Sequence, residues 1–159
     1  MAVDVNKVVN WFRVHNYGDM RHDDNVEALT QMKVMKLLYY AQGIMLAAFD
    51  RKLFDNDILA WKYGPVVSEV HDRYVGKREI VDFNADGMES KAIEDFTELQ
   101  STDEVSIVLN TVQEAYGDKS AIQLMQMTHN EAPWQTTEQS DVISTDAIKS
   151  YFKAEVLAE

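Results

Sequence analysis

Residues 31 to 49 read Gln-Met-Lys-Val-Met-Lys-Leu-Leu-Tyr-Tyr-Ala-Gln-Gly-Ile-Met-Leu-Ala-Ala-Phe, and this run constrains the fold more than any other. Plotted as a helix it is apolar nearly all round, with one narrow polar stripe from Lys33 and Lys36 towards Tyr40 and Gly43. A helix with so little polar surface has to be covered by other elements on most sides, so it belongs at the centre of a domain. Lys33, Lys36 and Gln42 make it too polar to span a bilayer. Met32, Met35, Met45 and the Tyr39-Tyr40 pair read first as core, and a cofactor box is the alternative.

The flanking segments supply the cover. Asp4 can cap a first helix, residues 4–17, whose Val5, Val8, Val9 and Phe12 keep helical spacing, with Gly18 placed to end it. A polar connector leads to Thr30 as the next cap. Strand and turn compete over residues 57–63. Gly64-Pro65 punctuates the chain, and proline suits the first turn of a helix, so a helix is expected from Pro65 to about Val75. Glu79 to Phe83 could be a short strand, and the acidic, weakly patterned stretch after it reads as a mobile loop reaching to residue 100. Ser101 and Glu104 have the spacing of a capping box for a helix that carries Val105, Val108, Leu109, Val112 and Tyr116 up to Gly117. Ser120 can cap a shorter helix through Met127. Thr145 can cap a last one, residues 145–157, bearing Ile148, Tyr151, Phe152 and Val156. These are six helices and at most one short hairpin. The expected fold is mainly α, one compact helical domain over residues 1–159 around a central buried helix.

Composition narrows the function. The 159 residues include 27 acidic and 15 basic side chains, a net charge of −12, and the acidity grows along the chain. Such a chain repels phosphate backbones and anionic membranes, and a basic partner would suit it better. Cysteine is absent, which removes disulfides, thiol nucleophiles and thiolate metal sites and agrees with a reducing compartment. Met1-Ala2-Val3-Asp4 lacks the basic start of a signal peptide. A cytoplasmic location is expected.

Catalytic signatures are missing. The six glycines never cluster into a phosphate loop, and there is no Gly-x-Ser-x-Gly elbow or His-Glu-x-x-His helix. His15, His22, His71 and His129 are scattered. A metal site assembled from His71 with Asp72, or His129 with Glu131, competes with the plainer reading of hydrogen-bonded or solvated imidazoles. Acid pairs such as Glu94-Asp95 are common in so acidic a chain and read as solvated faces or helix starts. No metal or cofactor is expected.

Two clusters are more distinctive: Ala60-Trp61-Lys62-Tyr63-Gly64-Pro65-Val66-Val67, and Thr128-His129-Asn130-Glu131-Ala132-Pro133-Trp134. Each puts large aromatics beside a proline turn. Such a cluster either buttresses a turn that locks helices together or forms an aromatic, charged patch for a partner.

Together with Met32–Gly43, these clusters resemble, in this order, the Panacea-domain group of SocA-like antitoxins. The resemblance covers about residues 30–135 and includes Tyr116-Gly117. It departs at Val34 and Met35, where the family often carries leucine and glutamine. It implies a mostly helical, non-enzymatic protein of a bacterial, phage or prophage setting that neutralises a cognate toxin by direct contact. Some members suggest an adaptor that hands a bound toxin to a protease. A regulator that binds its own operon's DNA is the alternative of another class, although no basic recognition helix is evident. A hydrolase or nuclease built from scattered His, Asp and Glu is a third. Under this resemblance Trp61, Gly64, Pro65, Thr128, Pro133 and Trp134 are expected to hold the scaffold. Lys36, Lys62, Tyr63, His129 and Glu131 are candidate contact residues for the partner, with Lys36, Tyr63, His129 and Glu131 expected to serve the scaffold as well.

Overall fold

A computed structural model describes residues 2–157. The order of elements is α1 (Val5–His22), α2 (Gln31–Phe49), β1 (Leu59–Trp61), β2 (Gly64–Val66), α3 (Ser68–Arg73), α4 (Ser90–Gln100), α5 (Asp103–Tyr116), α6 (Ala121–His129), α7 (Ala132–Gln135) and α8 (Thr145–Tyr151), followed by a π-helical turn, Phe152–Val156. The fold is mainly α, and its sheet is a single antiparallel hairpin.

The all-round apolar run is α2, and it lies at the centre. Its residues are buried without interruption from Val34 to Leu46. Helices α1, α5, α6 and α8, strand β2 and the π turn all pack on it. Thr30 caps its start, with Oγ1 accepting from the Lys33 amide at 3.1 Å. Asp50, in the left-handed region at φ 57°, closes its end. One contiguous apolar cluster runs from Val5 to Phe152.

Several boundaries differ from the sequence expectation, each for a tertiary reason. Helix α1 continues through Gly18 to His22. A helical glycine costs about 1 kcal/mol, and this last turn is tied to the 83–85 loop. Tyr17 donates to the Ala85 carbonyl at 2.8 Å, and Arg21 donates to the Phe83 carbonyl at 3.1 Å. Gly64 and Pro65 form strand β2 rather than a helix start, with Ala60 opposite Pro65 and Trp61 opposite Gly64. On its other side β1 bonds to residues 140–143: the Ala60 amide donates to Asp141, and the Ile143 amide to Ile58. Strand β2 is therefore an edge, where a proline's missing N–H leaves no gap in a ladder. The helix begins only at Ser68.

The expected strand at Glu79 reduces to one bridge with Thr30. The expected mobile loop contains α4, which lies along α1 with Ala92, Asp95 and Leu99 buried. Phe96 stacks on Trp11 at 5.5 Å between centroids. Ser101 and Glu104 form no capping box. Thr102 precedes α5 and sends its hydroxyl back to the Glu98 carbonyl, while Glu104 pairs with Arg51 at 2.8 Å. The capping box is at Ser120 and Gln123 instead, and the cap of α8 is Ser144 rather than Thr145. Helix α6 runs on to His129.

Candidate functional site

The distinctive sequence runs are far apart in the chain and meet on one side of α2. Gly64 is the point of closest approach. Its φ of 110° is open to few residues other than glycine, and a Cβ there would lie 2.6 Å from Lys36 Cε and 2.9 Å from Thr128 Oγ1. Thr128 is fully buried and turns its hydroxyl back to the Met125 carbonyl at 2.8 Å. Lys36 is 1% exposed, and its ammonium donates to the Pro65 carbonyl at 3.3 Å. Burial with so little compensation lowers its pKa to about 7.

Next to this contact lies a buried carboxylate. Glu131 leads into α7, and its two oxygens accept from Tyr39 Oη at 2.9 Å and Tyr40 Oη at 2.8 Å. Neighbouring residues on a helix diverge, so one carboxyl group receives both hydroxyls by bridging them. Tyr116 stacks on the Tyr40 ring at 4.1 Å, and Phe152 meets Tyr39 edge-on at 5.4 Å. Gly43 leaves room for the Phe152 ring against the α2 backbone. Burial raises the Glu131 pKa, and the two tyrosine hydrogen bonds oppose this without reversing it. Burial, and after it the Glu131 charge, raises both tyrosines. Burial pushes Tyr116 up to about 12.

Trp134 fastens the third contact. Its Nε1 donates to the Trp61 carbonyl at 2.8 Å, tying α7 to the hairpin. The His129 ring stacks on this indole at 4.1 Å, and its Nε2 is buried without a hydrogen-bond partner among the described residues. Pro133 is buried in the first turn of α7. The structure thus brings Lys36, Trp61, Gly64, Pro65, Thr128, His129, Glu131 and Trp134 into one joint. Lys36 and Glu131 lie inside it, which takes them off the exposed surface. Lys62 and Tyr63 form the hairpin turn and are exposed.

Beside the joint opens a groove of about 760 Å³, walled by the start of α2, the hairpin, His71, Lys77, Arg78 and the start of α6. Sequence reading missed it, because Met32, Arg78 and Ile122 come from three separate segments. One wall was already marked by the cluster that holds Trp61, Lys62 and Tyr63, while Ile122, 60% exposed, could be placed there only by the fold. Among the described residues no three His, Asp or Glu side chains gather as a metal-binding group, and His71 lies 3.6 Å from Asp72 and edge-on to the Trp61 ring at 5.0 Å. No helix there is long and apolar enough to cross a membrane.

Fold and site define a mainly α protein whose distinctive residues build a buried joint beside an open groove. Residues 34–135 match the family model described as antitoxin SocA-like, Panacea domain, and the chain belongs to that family. No curated protein and no solved structure matches the chain. The matched stretch holds every joint residue named above except Phe152.

Proposed function

We propose that this protein neutralises a cognate toxin by direct protein–protein contact and performs no chemistry of its own. Membership of the SocA-like antitoxin family over residues 34–135 carries this reading. The joint supports it: its polar groups are turned inward onto one another and hold helices together, and such a scaffold leaves partner choice to the surface around it. Lys62 and Tyr63 at the hairpin turn are the contact residues on this reading, with the half-buried His129 behind them. Lys36 and Glu131 act from inside by holding the hairpin and α7 in place. A neutralising interface buries at least about 1,000 Å², so it extends from the hairpin turn over neighbouring surface.

Co-expression tests the proposal. The neighbouring open reading frame alone should arrest growth, and this chain should restore growth through a complex that co-purifies. A harmless neighbour, or rescue that persists when no complex forms, overturns it.

A further inference from the structure

The groove beside the hairpin differs in charge from the rest of the chain. Of its lining residues Lys36, Lys62, Lys77 and Arg78 are basic and none is acidic, although acidic residues outnumber basic ones 27 to 15 overall. The starts of α2 and α6 also line it, at Gln31 and Met32 and at Ala121 and Ile122. The first turns of two helices add partial positive charge, reduced where the Gln31 amide donates to the Arg78 carbonyl and the Lys33 and Gln123 amides donate to their caps. Acids lie beside the lining but not in it: Glu79 pairs with Arg78 at 3.7 Å with both side chains largely exposed, Asp72 faces His71, and the exposed Glu138 and Asp141 flank the lining residues Gln139 and Ser140 in the chain. The walls are apolar, with Met32, Met35, Trp61, Tyr63, Val66 and Ile122.

We propose that this groove binds a segment of the partner protein that carries carboxylates beside apolar side chains. The inference rests on the antitoxin reading for the nature of its occupant. Charge sets the sign of that occupant: Lys62 and Lys77 stand exposed at the edge, and Lys36 lies at the floor. Lys36, buried and bonded to the Pro65 carbonyl, belongs to the scaffold, so the exposed Lys62, Lys77 and Arg78 carry the charge that the occupant meets. The exposed walls set the occupant's size. Tyr63 is 55% and Ile122 60% exposed, so whatever covers them extends past the cavity onto the surface, as a peptide segment does and a small carboxylate does not. The net negative charge of the chain therefore misstates this face. The partner meets it with an acidic and apolar segment, even if the rest of the partner is basic.

The test uses the full chain and three short capped peptides in which leucine and phenylalanine alternate with aspartate, with lysine or with serine. Isothermal titration should show binding of the aspartate peptide about tenfold or more tighter than the other two, weakening as salt is added. Reversing Lys62 and Lys77 together to glutamate should weaken it about tenfold or more. Lys153→Glu, on the exposed π turn, should leave it unchanged. Both substituted positions of the double variant are exposed, and a thermal melt checks that it folds. Equal binding of all three peptides, no binding, or indifference to the charge reversal overturns the inference. Decanoate that binds where the aspartate peptide does not reassigns the groove to a small carboxylate. Self-association lost on charge reversal reassigns it to a second copy of the chain. Growth rescue separates this inference from the antitoxin reading. Full rescue by the double variant, with peptide binding lost, overturns the groove as the toxin's site and leaves the antitoxin reading standing. Failure of the wild-type chain to rescue removes that reading, whatever the peptides do.

Discussion

Among the described residues the buried carboxylic acids are Glu131 and Asp95, and the two joints that hold them work in opposite ways. Glu131 is enclosed among rings and receives two neutral tyrosine hydroxyls, so burial prevails and its pKa is raised. Asp95 lies where α4 crosses α1. It accepts from Asn10 at 2.8 Å and from the Lys91 ammonium, also at 2.8 Å. Burial pushes Asp95 up as well, but these hydrogen bonds and the lysine charge outweigh it, and its pKa is lowered. The α1–α4 joint pairs each buried charge with one that reaches water: the buried Arg13 guanidinium bridges Asn10, the Ile80 carbonyl and the exposed Glu89, and Lys91 is mostly exposed. A buried carboxylate with a solvated cation beside it remains an ion. One without a cation becomes a structural pin that tolerates protonation. The first joint lies almost wholly within the family match, whereas the second depends on Asn10 and Arg13, which precede it.

The sharpest way to break this contrast is to remove Glu131. Glu131→Ala leaves two buried hydroxyls without their acceptor and opens a cavity, so it should cost about 3–5 kcal/mol in urea unfolding. A loss below about 1 kcal/mol would show that water replaces the carboxylate, and the two joints would then be alike.

Trp134→Ala comes next. It leaves the Trp61 carbonyl without its indole donor and removes a half-buried ring, and should cost about 2–3 kcal/mol. Measured without any partner, unchanged stability together with lost growth rescue would move Trp134 from the scaffold to the contact surface.

Asp95→Asn should cost less, about 1–2 kcal/mol, because the Lys91 side of the pair is solvated. Added salt should shrink that cost. Salt should leave the Glu131→Ala cost unchanged, and comparing the two variants at low and high salt tests the distinction directly.

Taken per pH unit, the pH dependence is the smallest effect, at most about 1.4 kcal/mol for each group. Glu131 binds its proton more tightly folded than unfolded, so its contribution is fully present below the ordinary glutamate range and is lost as pH rises through its raised value. Asp95 behaves in reverse: its contribution is present above the ordinary aspartate range and is lost as pH falls through its lowered value. Lys36, lowered to about 7, destabilises the folded state fully below that pH, and the penalty lifts as pH rises from there towards its unfolded value of 10.5. Melting curves of Glu131→Gln, Asp95→Asn and Lys36→Met across pH should each lack one of these slopes. A Glu131→Gln profile that parallels wild type would mean that the carboxyl group is not held as described.

What could be read from the chain follows from what each feature needed. The all-round apolar surface of α2 demanded cover on every side, and no partner had to be known to place it at the centre. The stripe on α5 and the cap at Asp4 were legible for the same reason, since their period and hydrogen bonds lie within a few residues. Helix α4 was not legible. Its buried face includes Asp95, and an aspartate reads as a surface residue until Asn10 and Lys91 stand beside it. Gly64-Pro65 fits a helix start or an edge strand equally well, and residues 140–143, paired with β1, decided for the edge.

The site divides along the same line. The aromatic–proline clusters could be singled out from residue types alone, because large rings beside a rigid turn have few uses. Which of their polar side chains face inward depended on Tyr39 and Tyr40 meeting Glu131, and on Lys36 meeting Pro65, and such pairings cross tens of residues. By itself the sequence determined the helical class, the central helix and the family-like runs, all of which rest on local period and residue chemistry. Only the tertiary structure decided the charge of the groove. Net charge is a sum over the whole surface, whereas a binding face consists of those few side chains that the fold brings together.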